Sequence, residues 1–317
     1  MAYGQAMKSY RYLYGPVPSR RLGRSLGIDL VPSKICTYDC IYCQIGKATE
    51  KTLLRKEYIP KEEVLEEVKA FLSEEDSSFD HFSLSGSGEP TLHSEIRFII
   101  KGIKALSSVP VAVITNGSLL CDEKVREDLL QADIVLPSLD AVSSEVFTKI
   151  NRPHPAISAE KVIEGMVAFR KMYKGKIWLE ILFCKGVNDS REELERIKKA
   201  VERIQPDLIH LNTVVRPPSE EWAIPLNQEE MERIRTFFGG KASIISEFDR
   251  HLDLSSEKDF KEKVVEILRR RPLSLTDLST GMGIPEKELE KSIGLLIAEG
   301  KIRARQFGDS IYYEIPF

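Results

Sequence analysis

Ile35-Cys36-Thr37-Tyr38-Asp39-Cys40-Ile41-Tyr42-Cys43 is the stretch around which this chain is organised. Its three thiols follow a C-x3-C-x2-C spacing, and Tyr42 directly precedes the third. A loop this short can wrap three sulfurs around one face of an iron–sulfur cube. Because four thiolates close every position of such a cluster, three thiolates predict one iron that is open to another molecule.

A structural zinc site and a disulfide are two other possible uses of these thiols. Structural zinc sites are usually closed by four ligands, often as two C-x2-C pairs. Here there is one C-x2-C pair, and the next His after the loop is the distant His81. A disulfide would leave one of the three close thiols unpaired. The spacing therefore favours a cluster over a zinc ion or a disulfide.

Length and composition limit the classes of protein to consider. The chain has 317 residues, 42% of them hydrophobic, and a net charge of −3. That size fits one large domain, alone or with a small appendage, and that charge argues against a broadly basic nucleic-acid surface. The remaining two of the five Cys, Cys121 and Cys184, are far apart, which suits a reducing cytosol rather than a disulfide framework. No apolar run has the length of a membrane span, and residues 1–11 lack the apolar core of a secretion signal, so we expect a cytoplasmic protein without membrane contact.

Strand-like and helix-like segments alternate over the first 250 residues, at intervals of roughly 25–35 residues, which is typical of βα units around a parallel sheet. Residues 14–25, rich in Gly and Pro, are predicted as a loop, and residues 25–32 as a short strand. Later strands are predicted at 79–85, 110–115, 134–139, 177–183, 208–212 and 242–246. Helices are predicted at 60–72, 95–106, 123–131, 159–172, 191–204 and 228–238. About six units are too few for a closed eight-unit barrel, so a partial or open barrel fits better.

The pattern changes near residue 257. Three predicted helices and a hairpin with its turn at Gly308-Asp309 resemble a winged-helix domain. We therefore divide the chain into residues 1–256 and 257–317. Over Lys258–Phe317, 11 Lys and Arg stand against 10 Asp and Glu. Because a DNA reader is usually more basic, this domain is predicted to dock a partner or present a substrate.

Polar motifs follow three of the predicted strands. The second strand leads into Ser85-Gly86-Ser87-Gly88-Glu89-Pro90, where glycines allow a ligand close to the backbone. Asn116 ends the third strand, and Ser138-Leu139-Asp140 ends the fourth. Since ligands of α/β folds collect at the carboxyl ends of strands, we expect these side chains at one mouth. Open alternatives are an ordinary turn around Asn116 and a helix N-cap at Asp140.

Taken in order, the Cys loop, the Gly88-Glu89-Pro90 loop, Ser138-Leu139-Asp140 and the βα repeats resemble the radical S-adenosylmethionine (SAM) superfamily over residues 20–250. The segment from Gly15 to Cys43 looks most like a branch related to the wyosine tRNA-base synthases. The resemblance implies an α/β fold with a partial (βα)6 barrel, a [4Fe–4S] cluster on Cys36, Cys40 and Cys43, and SAM on its open iron. It further implies cofactor contacts from the residues Tyr42, Gly86, Gly88, Glu89, Asn116, Ser138 and Asp140. Ser87 departs from the family's Gly-Gly-Glu pattern, in which a Gly stands at that position.

Further polar residues have both functional and structural interpretations. Arg20, Arg21 and Arg24 either bind a substrate phosphate or carboxylate or form a solvated loop. Glu180 is a charge inside an apolar strand, and because a buried charge needs a partner, we predict that it faces a barrel lumen. Asn151, Arg152 and His154 either face the substrate or form part of a polar loop at residues 149–154. His210, Asn212 and Arg216 are predicted to leave the sixth strand toward the same mouth, and His210 has the alternative of a hydrogen-bonded core His.

Three functions compete on this basis. The first is a radical SAM enzyme that cleaves SAM reductively to a 5′-deoxyadenosyl radical, which abstracts hydrogen from an unidentified substrate. An electron donor such as flavodoxin or ferredoxin would serve it. The second is RNA-base modification, including that of tRNA, by the same chemistry, with an RNA or protein partner bound through the C-terminal domain. The third is an iron–sulfur-sensing transcription regulator, which needs neither an open iron nor SAM-like loops.

Overall fold

The computed structural model describes residues 10–73, 78–245, 261, 264–265, 267–269, 272–282, 285–308 and 310–316. Its strands are β1 (Leu13–Ser19), β2 (Gly23–Ile28), β3 (Ile35–Cys36), β4 (Glu50–Lys51), β5 (His81–Leu84), β6 (Val111–Thr115), β7 (Ile134–Pro137), β8 (Lys176–Phe183), β9 (Leu208–Thr213), β10 (Ala242–Ile244), β11 (Leu273–Ser274), β12 (Arg303–Phe307) and β13 (Ser310–Glu314). The helices are α1 (Lys61–Leu72), α2 (Ile96–Leu106), α3 (Glu123–Leu129), α4 (Ser144–Asn151), α5 (Ala159–Met172), α6 (Arg191–Ile204), α7 (Gln228–Phe238), α8 (Leu275–Met282) and α9 (Glu286–Ala298).

Eight strands form one sheet in the order β1-β2-β5-β6-β7-β8-β9-β10. All neighbours from β2 to β10 pair in parallel, whereas β1 pairs antiparallel with β2 at the edge. Helices α1 to α7 lie on the connections between the parallel strands, so the chain makes six βα units. This confirms the predicted partial barrel and places every strand-end motif at one edge of the sheet.

The two faces of the sheet have different partners. On the outer face, strand residues such as Val113, Val135 and Leu179 pack against buried helix residues such as Ile99 and Phe169. Inside the barrel, Leu22 from the β1–β2 turn packs against a smaller apolar cluster that includes Ala112, Ile134 and Leu136. The inner face has little further apolar cover at the carboxyl ends of the strands, where the polar motifs begin.

Helix boundaries follow the local sequence signals. In α7, the N-cap Asn227 and Glu230 form a reciprocal capping box. The predicted bounds of α5, α6 and α7 agree with the structure. These helices were predictable because apolar residues at helical spacing coincide with Ser158, Ser190 and Asn227 as N-caps.

Two predictions about local structure were wrong. Residues 14–25 are not a loop but most of the β1–β2 hairpin. Pro16 and Pro18 are tolerated because β1 lies at the edge of the sheet, where a strand can lack amide donors. Residues 149–151, for which a polar loop was the structural alternative, form the end of α4, whose apolar residues Phe147 and Ile150 are buried.

The C-terminal residues form a separate three-stranded sheet in the order β11-β13-β12, together with α8 and α9. The predicted terminal hairpin is confirmed as β12–β13. Its apolar cluster includes Val17 of β1, and the Tyr312 hydroxyl donates to the Val215 carbonyl at 2.6 Å. The predicted boundary between 256 and 257, half of the residues of the predicted helix 258–269, and Asp309 of the predicted turn lie outside the described residues.

Candidate functional site

The three thiols of the Cys loop lie just beyond the carboxyl end of β2 and are free and partly buried. Amide groups of the loop point at the sulfurs: Thr37 and Tyr38 toward Cys36, and Ile45 and Gly46 toward Cys43. N–H groups aimed at sulfur stabilise thiolate ligands and adjust the potential of a cluster. These N–H groups favour the charged form of the sulfurs, although burial acts in the opposite direction.

Two side-chain amides complete this arrangement. Asn116, after β6, donates to Cys36 Sγ at 3.5 Å and to Thr37 Oγ1 at 2.7 Å. Asn151, at the end of α4, donates to Cys40 Sγ at 3.5 Å. The loop is thus anchored on both sides by residues from distant parts of the chain.

Burial raises the pKa of each of the three thiols. The pKa of Cys36 rises to about 12 through burial and the charge of Glu89. For Cys40 the pKa rises well above its usual value through burial and Asp140, and for Cys43 it rises through burial. Without a cation these thiols hold their protons, and binding of iron would release them.

The donor set fits an iron–sulfur cluster. Three thiols on one short loop and N–H donors toward each sulfur are what such a cluster requires. Among the described residues, no three His, Cys, Asp or Glu side chains are placed to hold a single metal ion.

The loop after β5 packs directly on the Cys loop. A Cβ atom on Gly88 would lie 2.0 Å from the Ile35 carbonyl oxygen, and the amide of Glu89 donates to that same oxygen at 3.1 Å. Gly86 has φ +143°, and a Cβ there would meet the carboxylate of Asp29. Gly88 therefore lets the predicted SAM loop approach Ile35, the residue that precedes Cys36, and Gly86 lets the same loop approach Asp29.

Glu89 is buried, and protein groups use both of its carboxylate oxygens. Oε1 accepts hydrogen bonds from the Thr91 hydroxyl at 2.5 Å and from the Thr115 hydroxyl at 2.6 Å. Oε2 accepts a hydrogen bond from the backbone amide of Asn116 at 2.8 Å. Burial raises the pKa of Glu89 against these hydrogen bonds. Glu89 therefore fixes the shape of its loop against β6, while its direct contact with SAM stays a prediction.

Asp140 is the centre of a second buried network. It accepts from the Tyr42 hydroxyl, from Asn151 Nδ2 at 2.7 Å and from the Leu182 amide at 2.9 Å. Burial raises its pKa to about 6. The N-cap of α4 is Ser143 rather than Asp140, so the capping alternative for Asp140 is wrong.

The structure brings the predicted cofactor residues to one mouth, at the carboxyl ends of β5, β6 and β7. Ser138 belongs to this mouth, because its backbone forms a parallel β-bridge with that of Glu180 just beyond the end of β7. The sequence predicted for Asn151 only a possible contact with the substrate, and its contacts with Cys40 and Asp140 were not predicted. Thr37 and Ser118, whose hydroxyls are 2.7 Å apart, were also missed. The sequence feature that could have pointed to these residues is a polar side chain at the end of a helix or strand near the mouth.

Glu180 faces the lumen, as predicted, and is paired with Arg21 and with Asn212 Nδ2 at 2.9 Å. Arg24 faces the other way. Its guanidinium donates to Ser78 Oγ at 2.9 Å, and its amide donates to Asp80 at 2.7 Å. Arg20 and Arg21, but not Arg24, are therefore available to the mouth.

Arg152 and His154 lie beside the Cys loop rather than inside the barrel. The Arg152 guanidinium pairs with Glu220 at 2.7 Å, and the His154 amide donates to the Thr37 carbonyl at 2.8 Å. Both residues brace the loop from outside.

A family model described as the radical SAM superfamily matches residues 30–201. A UPF0026 protein of Methanocaldococcus jannaschii is 31% identical over 309 residues, which cover 95% of this chain and 94% of that protein. A Brachyspira hyodysenteriae protein described as GTPase Obg is 37% identical over 306 residues. The match covers 96% of this chain but only 45% of the Brachyspira protein.

Solved structures support the fold. Streptococcus suis SuiB bound to the precursor peptide SuiA superposes with a TM-score of 0.53 at 13% identity, covering 78% of this chain and 53% of that chain.

None of the described helices combines the length and the apolar character that a membrane span needs.

Proposed function

Because this chain belongs to the radical SAM superfamily, whose members use a [4Fe–4S] cluster and SAM, we propose that it is an enzyme that cleaves SAM reductively. The observation that carries the proposal is the convergence of three thiols with Asn116, Asn151, the Gly88 loop and Asp140 at one barrel mouth. When bound, the cluster supplies one electron that splits SAM into methionine and a 5′-deoxyadenosyl radical, which then abstracts hydrogen from the substrate.

The chain's own residues bind and orient the cofactors in this proposal. Cys36, Cys40 and Cys43 hold iron, and amide donors stabilise their sulfurs. We assign the amino group of SAM to the backbone of residues 85–88, which Gly86 and Gly88 hold against Asp29 and Ile35. A carboxylate has about four lone-pair sites, and protein groups occupy three of those on Asp140. The remaining site on Oδ1 is the one that would accept a hydrogen bond from the ribose.

The direct test is anaerobic reconstitution followed by reduction. The wild-type protein should bind iron and sulfide and release 5′-deoxyadenosine when dithionite and SAM are added together. Omission of either reagent is the control. A reconstituted cluster without any 5′-deoxyadenosine would contradict the proposal.

Asp140→Asn should weaken SAM binding while iron content stays unchanged. The amide keeps the shape of the side chain but loses the charge that strengthens a hydrogen bond to the ribose, a loss of about 1.5–3 kcal/mol, or about 10- to 150-fold in affinity. Calorimetry with anaerobic protein measures the affinity. Asp122→Asn, at the N-cap of α3 on the surface, is the matched control, and equal affinity in both variants would remove Asp140 from the SAM site.

The division into residues 1–256 and 257–317 is also part of this proposal. A chain ended after residue 256 should still bind iron, because the three thiols of the Cys loop and all of the described N–H donors toward them lie before that point. It should unfold at a lower temperature, since Val17 loses its apolar neighbours in the C-terminal cluster. Iron analysis and thermal unfolding of the truncated protein test both expectations. If the truncated chain cannot take up iron, the two parts fold as a single unit and the division is wrong.

A further inference from the structure

Three guanidinium groups lie close enough together inside the barrel for their charges to interact. Arg20 and Arg21 reach in from the β1–β2 turn, and Arg216 follows β9. Side-chain exposure is only 19% for Arg21 and 12% for Arg216. Buried cations need anionic partners, so the partners of each arginine decide what this cluster does.

Arg21 is already neutralised. It forms an ion pair with Glu180, and Asn212 Nδ2 supports the same carboxylate oxygen at 2.9 Å. The charge of Arg21, followed by its hydrogen bond and that of Asn212, holds the pKa of Glu180 below its usual value in spite of burial. The charge of Arg21 is therefore balanced without a ligand, although its buried Nε has no hydrogen-bond partner among the described residues.

Arg20 and Arg216 are not neutralised in the same way. Arg20 donates to the amide oxygen of Asn212 at 3.3 Å, and no carboxylate among the described residues forms an ion pair with it. Arg216 donates to Gln44 at 3.4 Å, its nearest carboxylate oxygen is on Asp277 at 3.8 Å, and its buried Nε has no partner. Burial, with the charges of Arg216 and Arg21, lowers the pKa of Arg20 to about 10. Among the described residues, Arg216 thus has one long ion pair, with Asp277, and Arg20 interacts with the charges of Glu180 and Asp277 without forming an ion pair with either.

The position of this pair connects it to the reaction site. Gln44, which Arg216 contacts, directly follows Cys43. Glu180 pairs across the sheet with Ser138, and the Leu182 amide, two residues further along β8, donates to Asp140. An anion held between Arg20 and Arg216 would thus lie against the layer of residues predicted to hold the cluster and SAM.

We propose that Arg20 and Arg216 bind the phosphate of a small phosphate-monoester substrate, with Arg21 and Glu180 as the fixed wall of the site. This rests on the proposed function, because it places the substrate in the barrel beside SAM. A phosphate dianion neutralises both cations and has enough oxygens for two guanidinium forks, whereas one carboxylate neutralises only one charge. The burial of the guanidiniums favours a small molecule over a nucleic-acid backbone.

The test titrates inorganic phosphate into the reconstituted protein at saturating SAM, so that the carboxylate of SAM is not the anion measured. Binding is followed by 31P line broadening. Arg20→Gln and Arg216→Gln should each weaken phosphate binding about tenfold or more, and Arg20→Lys should recover part of it. Arg24→Gln, in the same hairpin but bonded to Ser78 and Asp80, should bind phosphate like the wild type. Iron content and thermal unfolding of each variant report folding.

The outcomes separate this inference from the function it rests on. The site is overturned if folded Arg20→Gln and Arg216→Gln bind phosphate as tightly as the wild type. If Arg20→Gln does not fold, the same comparison is made with Arg20→Lys and Arg216→Gln. Succinate that binds as tightly as phosphate overturns the phosphate assignment. Displacement of phosphate by a 5′-hydroxyl RNA 12-mer, dependent on Arg20, replaces the small molecule by RNA. If the wild type binds phosphate through Arg20 but forms no 5′-deoxyadenosine, the site stands and the proposed function fails.

Discussion

Replacement of Cys36, Cys40 or Cys43 by Ala is expected to abolish the cluster in each case. A cube held by three thiolates loses a full corner ligand with each replacement, and no other cysteine can take over. Cys184 is buried in the apolar core, and Cys121 is exposed at the end of a separate turn. Iron and acid-labile sulfide after anaerobic reconstitution give the readout, supported by the visible absorption of the cluster.

Cys121→Ala and Cys184→Ala are the matched controls. Each removes one thiol from the chain and leaves the Cys loop intact, so both should retain wild-type iron. Cys184→Ala also opens a small cavity, so its iron is compared only after thermal unfolding shows that it is folded. Full iron in any of the three loop variants, or loss of iron in Cys121→Ala, would disprove the ligand assignment.

The sequence was most informative where one local pattern determines both structure and chemistry. The spacing of Cys36, Cys40 and Cys43 limits the thiols to one short loop whatever the rest of the chain does. The βα alternation likewise predicts a parallel sheet, and a parallel sheet collects its strand-end residues at one edge. Asn116, Ser138 and Asp140 could therefore be assigned to one mouth without coordinates.

Residues whose role depends on long-range packing were harder to predict. Asn151 reaches Asp140 and Cys40 only because α4 ends beside the Cys loop, and α4 itself was not predicted. The β1–β2 hairpin was not predicted because two prolines and two glycines in residues 14–25 suggest a loop, although an edge position tolerates them. Arg20 and Arg24 are indistinguishable in sequence, yet the hairpin turns one into the barrel and the other outward.

Gly88→Ala is expected to lower both iron uptake and stability, although Gly→Ala at a compatible site usually stabilises by about 0.4–1 kcal/mol. The added Cβ would lie 2.0 Å from the Ile35 carbonyl oxygen and 2.7 Å from a methyl of Val31. Backbone cannot rotate away as a flexible side chain does, so Ile35 must shift, and overpacking of this kind costs about 1–3 kcal/mol. Thermal unfolding and iron content after reconstitution measure the two effects.

The physical reason for a combined effect is that Ile35 precedes Cys36 and accepts the Glu89 amide at 3.1 Å. A shift there moves the first thiol and breaks the link between the Cys loop and the loop predicted to bind SAM. Gly240→Ala is the matched control, since a Cβ at Gly240 meets nothing within 4 Å and should leave iron unchanged. If Gly88→Ala takes up as much iron as Gly240→Ala and unfolds at the wild-type temperature, then the close contact of the two loops is not what holds the site together.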